Sequence, residues 1–171
     1  MNARVTIVPY EAARHGDAPW QVIRTVFKEY DFEFTDGEYQ EDLVRYDGVG
    51  GWLAVAEDAT AKVIGCVALT DEGAGLFELH RLDVLPEARR AGLGERLVRW
   101  GIDGVVARGG QTLELYSDVA FLDAHRLYRR MGFRNHRFRY ASDPWQSREW
   151  GFTMDVAARR TEHDTMNPER S

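Results

Sequence analysis

Leu82-Asp83-Val84-Leu85-Pro86-Glu87-Ala88-Arg89-Arg90-Ala91-Gly92-Leu93-Gly94 reads as the end of an apolar strand, a proline stop, and Arg-x-x-Gly-x-Gly opening a helix. A helix start carries backbone N–H groups without intrahelical acceptors and a partial positive charge, which together suit an anion. Gly92 and Gly94 have no Cβ, so a phosphate can approach the backbone closely there. Arg89 and Arg90 add full positive charge. The simplest ligand for such a loop is a pyrophosphate. A P-loop is excluded, because Gly94 is followed by Glu95-Arg96 rather than by Lys-Ser/Thr. A dinucleotide fingerprint takes three glycines in the first strand–helix unit, whereas this loop has two and lies mid-chain.

Working outward, the loop sits between a meander of strands and a strand–helix–strand unit. Upstream, Trp52–Ala56 and Val63–Leu69 read as a hairpin around the turn Asp58-Ala59-Thr60, and Leu76–Val84 is its third strand. Further back, Arg4–Val8 reads as a strand bounded by Pro9. Trp20, Val22, Ile23, Val26 and Phe27 recur at helical spacing over Ala18–Tyr30. Thr35-Asp36-Gly37 reads as a turn, and Glu38–Tyr46 as a short helix with Leu43 inward. Downstream, a helix runs to Gly109-Gly110, Thr112–Tyr116 is a buried strand and Phe121–Met131 a helix. Two closing strands lie near Arg134–Tyr140 and Trp150–Val156. The order is that of an α/β protein, a single-domain mixed sheet with helices on both faces. Residues 1–156 form the expected domain, and 157–171 a polar tail expected to be disordered.

Composition narrows the function classes. With 171 residues the chain is long enough to bury a real core, and 44% hydrophobic against 29% charged residues is a globular balance. No apolar run reaches the roughly eighteen residues a membrane span needs. A single cysteine, Cys66, excludes an internal disulfide framework and fits a reducing compartment. A soluble, cytoplasmic protein is expected. The net charge of −6 argues against nucleic acid as a partner, although Arg134, Arg137 and Arg139 form a local basic strand. The histidines show no metal-ligand spacing, so no metal is expected.

The loop resembles the cofactor loop of the GNAT acetyltransferases, which grip the pyrophosphate of acetyl-CoA with (Arg/Gln)-x-x-Gly-x-(Gly/Ala). The preceding strand Phe77–Val84 and the Pro86 stop strengthen the match. A second segment, Ala124-His125-Arg126-Leu127-Tyr128-Arg129-Arg130-Met131-Gly132-Phe133, is similar to that family's A-x-x-L-Y-x-x-x-G-F helix. The resemblance covers Leu76 to Phe133 and implies the acyl-CoA N-acyltransferase fold. It implies acetyl-CoA as co-substrate, gripped through Arg89, Arg90, Ala91, Gly92, Leu93 and Gly94, with backbone groups of Leu82 and Val84 on its amide arm and Ala124 beside it. It makes Tyr128 the proton donor to the departing thiolate and Glu78 the base. The resemblance also implies a homodimer through the C-terminal strands. Two departures stand out. Arg90 replaces a glycine common among relatives, and Phe121 replaces an asparagine, leaving Asp118 or Asp123 to supply the missing polar contact.

Acetyl transfer to an amine needs a group to take the amine's proton and a donor for the thiolate, with no metal or covalent intermediate. Glu78 and His80 are the candidate bases; alternation puts both on one nominal strand face with Leu82 and Val84, unless a bulge breaks the parity. The alternatives are a salt-bridged Glu78, a structural His80 and a Tyr128 that is simply a core aromatic. Glu29, Tyr30, Asp31, Phe32 and Glu33 lie where the family's first helices cover the acceptor, a small-molecule or peptide amine. The rival readings are a silent acyl-CoA-binding or regulatory module on the same fold and a generic nucleotide-binding protein. Tyr128 and Glu78 favour the enzyme, since binding alone needs neither.

Overall fold

The computed structural model describes residues 4–143 and 145–158. In chain order the elements are β1 (Thr6–Pro9), α1 (Ala12–His15), α2 (Ala18–Lys28), α3 (Asp36–Arg45), β2 (Gly51–Glu57), β3 (Val63–Gly73) and β4 (Leu76–Val84). A 3-10 turn at Pro86–Ala88 follows, then α4 (Leu93–Ala107), β5 (Thr112–Asp118), α5 (Leu122–Arg130), β6 (Arg134–Tyr140) and β7 (Arg148–Asp155). The expected order is present, with the single-turn α1 added. Beyond Ala158 the expected tail lies outside the described residues. The chain packs as two compact units, one of Leu79–Gly101 with the residues before Asp71, the other of Asp71–Glu78 with the residues after Gly101.

In the first unit the strands run in the order β1-β2-β3-β4, with β1–β2 and β2–β3 antiparallel. β2 and β3 are nearly continuous apolar runs because the sheet is covered on both faces. On one face, a Cβ at Gly65 would touch Leu93 and Leu97 of α4, and one at Gly101 of α4 would collide with Leu79. On the other, the Cys66 thiol lies against the Pro19 carbonyl of α2. α2 starts with Pro19 in its first turn and buries Trp20, Val22, Ile23 and Val26 along one stripe.

α3 corrects the sequence reading twice. Thr35 is not part of a turn but the N-cap of a capping box: its hydroxyl accepts the Glu38 amide at 3.2 Å, and the Glu38 carboxylate accepts the Thr35 amide at 2.8 Å. Leu43, expected inward, is 43% exposed, and Asp42 is the buried residue at 2%. Partners explain the exchange. Arg81 of β4 donates from Nε and Nη2 to the Asp42 carboxylate at 3.0 and 3.1 Å, and the Trp20 indole donates at 3.1 Å. Arg81 also lies 4.9 Å over the Phe34 ring. A second buried acid, Glu57, is held by Arg14 at 2.6 Å and His15 at 3.1 Å.

In the second unit β7 lies between β5 and β6, antiparallel to both, with Leu115 opposite Phe152 and Phe138 opposite Trp150. A bulge interrupts β6 between Asn135 and Arg137. Gly151 is required here, because a Cβ would come 2.9 Å from the Tyr116 ring and 3.0 Å from His136. α5 turns His125 and Tyr128 inward and its arginines outward. It closes on Gly132 at φ +97, after which the Phe133 amide donates to the Tyr128 carbonyl at 3.0 Å. The left-handed residue belongs to glycine, and the Phe133 ring returns edge-on to Tyr128 at 5.9 Å. The Gly-Phe pair that ends the second sequence segment is therefore a helix stop.

Removing the Asp42 carboxylate strands the Arg81 charge and the Trp20 N–H. Asp42→Ala is expected to cost about 3–5 kcal/mol of stability, the scale of breaking a buried pair. Denaturant unfolding, read as a lowered midpoint, measures it.

Candidate functional site

The strand leading to the loop is irregular where it counts. Arg81, inside β4, has φ +50, a left-handed backbone that costs a non-glycine residue about 1–2 kcal/mol. Its capture by Asp42 holds the kink in place. The kink breaks the alternation of the strand. Leu79 lies against α4, whereas Arg81, two residues on, reaches Asp42 of α3. The nominal face shared by Glu78, His80, Leu82 and Val84 is thus not one continuous face.

After Val84 the chain turns through Pro86–Ala88 and reaches the loop. Gly92 has φ +76, and a Cβ there would meet nothing within 4 Å, so its surface is open. The backbone amides of Arg90, Ala91, Gly92, Leu93 and Gly94 meet no acceptor among the described residues. The first helical bond recorded from this turn is Arg96 to the Gly92 carbonyl at 3.1 Å. A run of unsatisfied donors at the positive end of a fifteen-residue helix fits a diphosphate.

The two arginines differ. Arg89 donates from Nη1 and Nη2 to the Glu29 carboxylate at 2.9 and 2.6 Å, and from Nε to the Val84 carbonyl at 2.9 Å. The hydrogen bonds to Glu29 push its pKa up. Glu29, expected near the acceptor, is therefore tied to the loop, and the Val84 carbonyl is engaged by Arg89. Arg90 is exposed, has φ +64 and makes no ion pair among the described residues. A positive φ is the backbone that a glycine would adopt there without strain.

Glu78 and His80 sit half-buried on β4. His80 Nε2 lies 2.9 Å from the Thr70 hydroxyl. The Tyr46 ring is 6.4 Å from the His80 ring, and its hydroxyl is buried without a hydrogen-bond partner among the described residues. Thr70 and Tyr46 carried no signal in the sequence beyond their polar groups. Phe34, one of the aromatics beside the acidic run, is core at 6% exposure, while Asp31 and Glu33 are exposed.

In the second unit Tyr128 is 5% exposed, its ring 5.3 Å from that of Phe152. One turn earlier, His125 is buried with Nε2 3.1 Å from the Ser117 hydroxyl. Burial lowers its pKa. Ala124 is half-buried on the same helix. Of the two acids named beside Phe121, Asp118 accepts the Ala120 amide at 2.8 Å, and Asp123 pairs with Arg126 at 2.6 Å on the surface.

Among known proteins, the model of the acetyltransferase (GNAT) family matches residues 19–133. An uncharacterized N-acetyltransferase of Schizosaccharomyces pombe is 34% identical over 60% of this chain and 64% of its own length. A mycothiol acetyltransferase of Clavibacter michiganensis is 37% identical over 48% of this chain and 27% of its own. The chain thus spans less than two thirds of these curated relatives. A GNAT-family acetyltransferase structure from Staphylococcus aureus superposes with a TM-score of 0.78 at 15% identity, covering 90% of this chain and 99% of that one. A GNAT-family acetyltransferase from Elizabethkingia anophelis, solved with acetyl-CoA bound, gives 0.69 at 18% identity, covering 88% and 97%. These likenesses show a shared fold, a mixed sheet with helices.

Asp83 supplies a test of the strand geometry. Its carboxyl is 8% exposed, and burial pushes its pKa up to about 7, against attraction from Arg81 and Arg89. The folded state therefore holds a proton that the unfolded chain, at an ordinary 3.8, has released. This stabilisation is complete below pH 3.8 and is lost as pH rises to about 7. Asp83→Asn keeps the neutral shape at every pH. The melting temperature of the variant minus that of the wild type should grow from pH 5 to pH 8 and then level off. A flat difference would place the carboxyl in a polar setting.

Proposed function

Since the chain belongs to the acetyltransferase (GNAT) family, we propose that it is an acetyl-CoA-dependent N-acetyltransferase, moving acetyl to a primary amine by direct attack in a ternary complex. The observation that carries this reading is the run of unsatisfied amides from Arg90 to Gly94 at the start of α4. Acetyl-CoA, the substrate such a loop would hold by its diphosphate, is bound in one of the solved structures that share the fold. Leu82 and Val84 border its amide arm in this reading, and Ala124 of α5 lies beside it.

The chemistry then needs two groups. As the amine nitrogen forms its bond to the thioester carbonyl carbon, Glu78 takes the proton the nitrogen gives up, directly or through one water. As the carbon–sulfur bond breaks, the Tyr128 hydroxyl protonates the departing thiolate. A phenol O–H is a competent donor of a proton to a thiolate. His80, set by Thr70, is the second candidate for the base. The acceptor in this reading is a small amine, supported by the names of relatives such as the mycothiol acetyltransferase. No metal takes part and no nucleic acid or membrane is engaged. The protein works in the cytoplasm as a homodimer joined through β6 and β7, whose exposed Phe138, Tyr140 and Trp150 offer contact area.

Two experiments test this. CoA or acetyl-CoA at millimolar concentration should raise the melting temperature, as any ligand of the native state does. Gly94→Glu, which adds bulk and negative charge at the diphosphate, should abolish the rise. An unchanged wild-type melt removes the reading. In a screen of amines for acetyl-CoA-dependent thiol release, Tyr128→Phe should lower kcat by roughly 10²-fold with cofactor affinity unchanged. Glu78→Gln should do the same, its residual rate climbing with pH as neutral amine accumulates. Full activity in Glu78→Gln would transfer the base role to His80 or to water.

A further inference from the structure

We propose that the Tyr46 hydroxyl binds the acceptor, donating a hydrogen bond to a carbonyl or carboxylate oxygen that the amine carries close to its nitrogen. This rests on the acetyl-transfer reading and adds to it a class of acceptor, an amino acid, its amide or a peptide N-terminus, and a residue that selects it.

Tyr46 caps α3, its amide donating to the Asp42 carbonyl at 3.0 Å. Its ring is hemmed in by the backbone that starts β2, where a Cβ at Gly51 would come 3.2 Å from the ring Cδ1. The hydroxyl oxygen is buried and has no hydrogen-bond partner among the described residues. Its surroundings explain why. The Arg81 guanidinium can donate but not accept, so it offers nothing to the O–H. The Asp42 carboxylate accepts from Arg81 and Trp20 instead. Burial, and then the charge of Asp42, push the Tyr46 pKa up, so the hydroxyl stays protonated and remains a donor.

A buried donor without an acceptor lowers stability, and in a folded protein it calls for a reason. Its place supplies one. The Tyr46 ring lies 6.4 Å from that of His80, on the strand that carries both candidate bases. A donor beside that strand meets the part of the acceptor next to its amine, and an O–H recognises a lone pair there. In amino acids and their amides that lone pair belongs to the carbonyl or carboxylate oxygen. Alkylamines have none, and the other nitrogens of polyamines are protonated. A site built around a buried donor also rejects ligands that leave it unpaired.

The test uses the full chain and Tyr46→Phe, which keeps the ring and removes only the hydroxyl. Ligand-free Tyr46→Phe should melt about 2–4 °C above the wild type, because the unpaired donor is gone. Thiol release from acetyl-CoA is then followed with free amino acids and with matched pairs, each amino acid amide beside the amine that lacks its carboxamide, such as phenylalaninamide and phenethylamine. The wild type should favour the amide of each pair. Tyr46→Phe should raise KM for the amides about tenfold, the scale of one hydrogen bond, and leave KM for the plain amines and kcat for both unchanged.

A lower melt in Tyr46→Phe would show that a buried water already satisfies the hydroxyl, and overturns the proposal. So does a wild type that treats the members of each pair alike, or a variant that keeps the preference. If no amine releases thiol, the acetyl-transfer reading falls and takes this one with it; turnover without preference removes this one alone.

Discussion

One buried carboxylate organises the first unit. Asp42 draws the Trp20 indole from α2 and the Arg81 guanidinium from β4 onto a single pair of oxygens. A buried ion pair is seldom a net source of stability over an apolar replacement, because both charges are taken from water. Its value here is directional. The pair selects one rotation of α3 and holds Arg81 in a left-handed backbone it would otherwise avoid. Beyond that kink the strand runs on to Val84, and the loop after Pro86 is tied to Glu29 through Arg89.

The parts of this arrangement that were legible in the sequence are those whose chemistry is local. The strand, the proline stop and the glycine-flanked helix start that follows it are local features, and all three stand where the sequence puts them. The Gly-Phe stop of α5 is equally local, since φ +97 at Gly132 is set by the turn itself. What was not legible depends on residues far apart in the chain. Leu43 was the obvious inward residue of α3 by hydropathy, yet Asp42 goes in because Arg81, thirty-nine residues on, is there to receive it. Thr35 looked like a turn residue until Glu38 completed the box. The unequal fates of Arg89 and Arg90 could not be read at all, because Glu29 and the Val84 carbonyl engage the first and not the second.

The same reasoning explains why buried polar groups on this scaffold do not all signal function. His125 and Ser117, His15 and Glu57, and Asp42 and Arg81 are each satisfied by a partner and hold elements together. Among the described residues, the loop amides from Arg90 to Gly94 meet no protein acceptor, and the buried Tyr46 hydroxyl has no hydrogen-bond partner. An unmade hydrogen bond is costly where water is excluded, as at the Tyr46 hydroxyl, whereas the exposed groups of the loop are open to water.

Cys66 carries a quieter consequence. The chain's single thiol is fully buried in β3, its sulfur 3.4 Å from the Arg81 carbonyl, and burial holds its pKa well above the ordinary range, with Asp83 adding to the effect. A thiol reacts as thiolate and only where a reagent can reach it. The folded protein is thus silent toward maleimides and disulfide dyes. A cysteine introduced at a surface position would be the one site such a probe could find, so a fluorophore or spin label could report on the loop without first removing a native residue.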